Sequence, residues 1–157
     1  MTAHFGPKMA KNDRQKVTQI LDLSTLADFA KQLRLVGLRP TRQRVAIAAL
    51  LLDGRHRHVS ADSLIEEITT AGLQVSSGTV YNTLNQFTDA GLLRRVVVHN
   101  EYSLFDTNTD HHHHFYEASN DQLVDIPHDD VILAKLPQAP EGHEIKAVDV
   151  VIHIQSK

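Results

Sequence analysis

Four histidines in a row, His111-His112-His113-His114, stand between Asp110 and the aromatic pair Phe115-Tyr116, far from either end of the 157-residue chain. In an extended segment successive side chains point to opposite faces, so His112 and His114 look one way while His111 and His113 look the other. Neutral imidazole is the commonest protein ligand for zinc, iron and related metals, and it also serves as an axial ligand to haem. A bare histidine run also has a plainer reading, a solvated polar loop. What favours ligation is the company: Asp106, Glu117 and Asp125 flank the run and could complete a nitrogen and oxygen site. The chain has no cysteine, so disulfides and thiolate-held zinc are excluded and any metal must be held by histidine and carboxylate.

A second chemically pointed stretch is Ser76 to Asp89. At helical spacing Val80, Leu84 and Phe87 form an apolar stripe, and Thr79, Asn82, Asn85 and Gln86 with the aromatic Tyr81 occupy the remaining surface. That surface is uncharged yet rich in donors and acceptors, which suits base edges in a major groove better than bulk water, where Lys and Glu would be commoner. Upstream, Arg39, Arg42 and Arg44 crowd a helix entry capped by Thr41. Exposed N–H groups and positive charge together suit a phosphate.

Elements that would position these groups follow in order. Residues 1–22 are polar, without sustained period, and read as a flexible arm. A first helix is expected from an N-cap at Ser24 to a stop at Gly37, a second from Thr41 towards Gly54, a third capped by Ser60 and ending at Gly72, and a fourth from Ser76-Ser77 to Gly91. A hairpin follows, Leu92 to Val98 and Glu101 to Phe105, turning at His99-Asn100. The last three of these helices and the hairpin are the winged-helix arrangement, in a domain over residues 23–106. Residues 111–157 read as a small domain with strands at Phe115–Ala118, Leu123–Ile126 and His143–Ile154, and a short helix at Asp129–Leu136. The fold class is therefore α+β, and so small a sheet implies dimerisation.

Composition is that of a globular protein, 41% hydrophobic and 22% charged. No apolar run approaches a membrane span and the N-terminus lacks a signal-peptide core, so a cytoplasmic protein without membrane attachment is expected. The net charge of −3 hides an asymmetry: residues 1–100 hold 13 Lys/Arg against 8 Asp/Glu, residues 101–157 hold 3 against 11. The basic part is fit to meet a polyanion.

These residues together resemble the ferric uptake regulator family of bacterial transcription regulators, from about Leu38 to Ile126. The resemblance rests on Gly37-Leu-Arg-Pro-Thr-Arg-Gln-Arg44, His58-Val-Ser-Ala-Asp62, Thr79-Val-Tyr-Asn-Thr-Leu-Asn-Gln-Phe87, Ala90-Gly-Leu92 and the histidine run. It implies a homodimer with an N-terminal winged helix and a C-terminal α/β dimerisation domain, binding A/T-rich inverted repeats in double-stranded DNA under control of a divalent metal (iron, manganese or zinc). It carries a regulatory metal site onto His58, Asp106, His112, His114 and Asp125. DNA contacts fall on Arg39, Arg42, Arg44, Ser77, Thr79, Tyr81, Asn82 and Asn85, with Tyr81 against thymine methyls. Departures are informative. Glu117 and Asn120 stand where many members place a zinc-binding cysteine pair, Ile132 and Val148 fall near the missing ligands of a second C-terminal metal site, and Asn82 replaces a common arginine.

Those departures resemble the iron response regulator branch of alphaproteobacteria, which senses haem, and imply haem as a cofactor on His111 and His113 and control of iron and haem metabolism. A peroxide sensor of the same family is the neighbouring reading, because both carboxylates of the five-ligand set are Asp. From another class, a His/Asp metalloenzyme or metal store is disfavoured by the lack of an H-E-x-x-H motif or an evident general base. His4, His56, His99, His128, His143 and His153 read as surface residues.

Overall fold

The computed structural model describes residues 23–157, so the N-terminal arm expected over 1–22 lies outside the described residues. Helix α1 runs Leu23–Leu35, which puts Ser24 inside the helix rather than at its cap. It ends with Gly37 at φ +79° and Leu38 N–H donating to Leu33 C=O over 2.8 Å, the left-handed stop that glycine supplies without steric cost. Helix α2, Arg42–Leu51, is capped by Thr41, whose hydroxyl accepts from Arg44 N–H. Almost every later residue of α2 is buried, so it is the central helix of the unit.

Strand β1, His58–Val59, leads into helix α3, Ala61–Thr70. A reciprocal capping box between Ser60 and Ser63 starts α3. Ser60→Ala removes one of those partners and is expected to lower unfolding stability by about 1 kcal/mol, read as a lower urea midpoint at unchanged slope. Helix α4, Ser77–Asp89, buries Val80, Thr83, Leu84 and Phe87, each at most 2% exposed. Strands β2, Arg94–His99, and β3, Tyr102–Asp106, form the hairpin, and β1 adds to β3 in the sheet order β1-β3-β2. Phe29, Leu33, Leu51, Leu64, Leu84 and Phe87 sit in one core.

The chain divides into two compact units. The first takes in the helices, β1 and most of the hairpin. The second comprises Thr109–Lys157 together with the hairpin tip, Val97–Tyr102. In the second, β4 (His113–Glu117) is central, antiparallel to β5 (Gln122–Ile126) and parallel to β6 (Val151–Ile154). Asp121 ties the tip to this sheet, its carboxylate accepting from Tyr102 and from Tyr116 at 3.0 Å. Burial, then the bond to Asp121, holds the Tyr116 phenol above its usual range.

Two expectations for this unit need correction. The helix expected over Asp129–Leu136 is a single 3-10 turn, His128–Asp130. Pro127 before it and Pro137 after it leave too few residues to repay helix nucleation. The long strand from His143 shrinks to four residues, because β6 pairs only with β4 and the register begins at His114 opposite Val151. Val150 still meets β4, its carbonyl accepting from His114 N–H at 3.1 Å, whereas Val148 lies before the paired stretch and is irregular. No described helix is long and apolar enough to cross a membrane.

Candidate DNA-reading face and metal-ligand clusters

Helix α4 turns its apolar stripe into the core, which leaves Ser77, Tyr81, Asn82 and Asn85 exposed on the other side. Several of these side chains are braced. Tyr81 OH donates to Asp62 Oδ1 at 3.0 Å, and that bond holds the phenol pKa above its ordinary value. Asn85 Oδ1 accepts from Arg95 on β2, whose guanidinium also lies 5.6 Å from the centre of the Phe105 ring. The Thr79 hydroxyl sits 2.9 Å from Ser76 Oγ at the helix cap. Arg44 is likewise engaged: Nε donates to Gln86 Oε1 and Nη1 to the Arg39 carbonyl, both at 2.9 Å. Arg39 and Arg42 are exposed. Arg44 and Thr79 thus serve first to hold the helix entry and α4 in place. Asp62 and Arg95 were not singled out from the sequence. The available signals were the 19-residue offset of Asp62 from Tyr81 on a capped helix start and the alternation in β2, which puts Arg95 opposite buried Val96 and Val98.

In the first unit, antiparallel pairing of β1 with β3 sets His58 opposite Asp106. His58 Nε2 lies 3.2 Å from Asp106 Oδ2, and Asp106 is fully buried. The other carboxylate oxygen, Oδ1, accepts from Asn108 N–H at 2.8 Å, which aims the group.

In the second unit the histidine run enters β4 in extended form, and its rings separate by alternate faces. His112 and His114 are nearly buried, with ring centres 4.5 Å apart, and their Nε2 atoms lie 3.3 and 3.6 Å from Asp125 Oδ1. Strand pairing produces this, since His114 is the cross-strand partner of Asp125. His112 Nδ1 is 2.7 Å from the Asp110 carbonyl, an acceptor only, so Nδ1 carries a proton and the bond fixes the ring with Nε2 towards Asp125. A hydrogen bond of this kind from the other ring nitrogen is how metal-ligating histidines are commonly oriented.

On the opposite face His111 and His113 meet His128, with centroid separations of 4.8 Å from His128 to His111 and 5.8 Å to His113. These three rings border a cavity of about 430 Å³ whose walls include Val131, Ile132, Leu133, Leu136, Ile145 and Val148. His128 is exposed, as expected, and its ring also lies beside those of His111 and His113. Glu117 is not placed as a ligand. Its carboxylate accepts from Ser156 at 2.8 Å, Ser119 at 3.1 Å and Asn120 at 3.2 Å, and these bonds, Ser156 first, hold its pKa below the usual range.

A family model described as the ferric uptake regulator family matches residues 35–155. The chain is 31% identical over 122 residues to the ferric uptake regulation protein of Shigella flexneri, covering 77% of this chain and 82% of that one. It is 27% identical over 133 residues to that of Vibrio anguillarum, covering 84% and 89%. The structure of the ferric uptake regulator from Pseudomonas aeruginosa with manganese aligns at a TM-score of 0.61 and 26% identity, over 81% of this chain and 96% of that one.

Proposed function

The chain belongs to the ferric uptake regulator family of metal-responsive, DNA-binding transcription regulators, and we propose that it is a sequence-specific regulator of iron and haem metabolism. Members of that family are regulators and not enzymes, which removes the metalloenzyme reading. The reading has His58, Asp106, His112, His114 and Asp125 hold one divalent ion, iron, manganese or zinc. The observation that carries it is the donor chemistry within each unit: a buried carboxylate aimed at His58 in one, and two imidazoles whose Nε2 atoms converge on a carboxylate in the other. Mixed nitrogen and oxygen donors suit this group of metals. The chain's own contribution is to orient His112 through the Asp110 carbonyl and Asp106 through Asn108, and to present α4 to the major groove. The reading includes pairing as a homodimer on inverted repeats; the dimer is supported by the second unit, which buries few apolar side chains and leaves Val124, Ile132, Leu133, Leu136, Ile152 and Ile154 at least 38% exposed.

A second layer of control is haem, held by His111 and His113 as in the iron response regulator branch. It is supported by the cavity beside those imidazoles, whose walls are chiefly apolar, as a porphyrin requires. The deciding measurement is fluorescence anisotropy of an iron-gene promoter fragment at fixed salt, with metal-stripped protein titrated first with manganese and then with haem. Manganese is expected to raise affinity, and haem to release the DNA at near-stoichiometric amounts. If haem leaves the complex intact while manganese is required, haem control is wrong and metal control stands. Indifference to both ligands defeats the proposal.

A further inference from the structure

Strand β1 is two residues long and pairs with β3 through His58 opposite Asp106 and Val59 opposite Phe105. So short a ladder is a weak fixture for a side chain whose Nε2 is held 3.2 Å from a buried carboxylate oxygen. The same register puts Arg57 opposite Thr107 on the next rung, where a regular antiparallel pair exchanges two main-chain bonds. One of them is present, Thr107 N–H donating to the Arg57 carbonyl at 3.1 Å. A side chain takes over the other: Arg57 N–H donates to Thr107 Oγ1 at 2.9 Å, and that hydroxyl in turn donates to the Arg55 carbonyl at 3.2 Å. The Thr107 hydroxyl therefore grips the approach to His58 at both Arg55 and Arg57, and the Arg57 guanidinium ties the approach to Glu67 on α3.

We propose that Thr107 is a positioning residue for His58, holding that imidazole against Asp106 and so setting the metal affinity of the chain; the second half of this rests on the reading of His58 and Asp106 as ligands of one divalent ion. Adjacent residues of one turn then divide the work. Asn108 N–H aims the Asp106 carboxylate, and the Thr107 hydroxyl fixes the segment that carries His58. A hydroxyl is needed because the position acts as acceptor and donor at once, towards a main-chain N–H on one side and a carbonyl on the other. Valine has nearly the same shape and offers neither function, whereas serine keeps both. Without the clamp His58 samples more positions, the one competent to ligate is populated less, and the apparent metal affinity falls in proportion.

The test uses the full-length protein and two readouts: nuclear magnetic resonance of the metal-free form, following amide exchange at Arg57 and the ring signals of His58, and manganese titration by electron paramagnetic resonance. Thr107→Val is expected to speed exchange at Arg57, to shift the His58 ring signals, and to weaken manganese binding about tenfold, the lower end of what losing a partner that orients a ligand costs. Thr107→Ser is expected to restore all three. On a His58→Ala background Thr107→Val should cost no further affinity, because it acts through that imidazole. Unchanged His58 ring signals in Thr107→Val overturn the proposal, as does an equal loss of affinity with and without His58, which would mark a general effect on stability. If His58→Ala weakens manganese binding and Thr107→Val does not, the five-ligand reading stands and the proposal falls. If His58→Ala leaves manganese binding intact while Thr107→Val still moves the His58 ring, the five-ligand reading fails and the positioning of His58 by Thr107 stands.

Discussion

In His112→Ala protein, manganese is expected to bind at least about 100-fold more weakly, beyond what losing an outer-shell partner alone costs, and DNA binding should no longer respond to it. The reason is specific to this imidazole. Its Nδ1–H is committed to the Asp110 carbonyl, so its Nε2 is preset towards Asp125 and no rotamer search precedes ligation. Alanine leaves a polar space that water can fill, at a position outside the apolar core of the second unit, Tyr116, Leu123 and Ile126. The fold should therefore survive, with an unchanged circular dichroism spectrum and basal DNA affinity. Asp110→Ala is the control: the acceptor is the backbone carbonyl, which the substitution keeps, so metal affinity should move little. Manganese titration followed by electron paramagnetic resonance measures both variants. Equal affinity in wild type and His112→Ala removes this histidine from the metal site.

How much of this was legible beforehand depended on whether a signal was local. Caps at Thr41, Ser60 and Ser76 and the stripe Val80, Leu84 and Phe87 are written within a few residues of where they act, and the helices they specify formed. Alternation along His111–His114 needed only an extended backbone. By contrast, the irregular course of 131–150 depends on which strand accepts β6 and for how long. The pattern Val148, Val150, Ile152, Ile154 does not say that only its last part finds a partner. The same limit hid His128, whose approach to His111 comes from a turn after Pro127, and Arg95, whose partner Asn85 is on a different element. Glu117 was misleading for a related reason. Nearness in sequence to the histidines suggested ligation, but the pleat and the neighbouring turn give its carboxylate to Ser119, Asn120 and Ser156 instead.

Tyr81→Ala and Asn82→Ala should each erode sequence preference by about 1–3 kcal/mol, roughly ten- to a hundredfold in the ratio of specific to nonspecific binding. Both side chains stand on the exposed face of α4, but they work by different chemistry. The hydroxyl of Tyr81 is committed to Asp62, and the bond keeps the phenol protonated to a higher pH than usual, so below its raised pKa the ring offers an uncharged apolar surface suited to a thymine methyl. Tyr81→Phe keeps that surface and loses only the tether to Asp62, and it should cost much less than Tyr81→Ala. Asn82 offers an amide, and its loss should relax the preference at one base position without touching its neighbours. Neither substitution changes net charge, so the dependence of binding on salt should remain. Arg42→Ala should do the opposite, weakening all sequences alike and reducing the salt slope by about 1. Binding to a promoter fragment and to a scrambled duplex at several salt concentrations separates the two behaviours. If Tyr81→Ala and Asn82→Ala leave the ratio unchanged, α4 is not the reading helix.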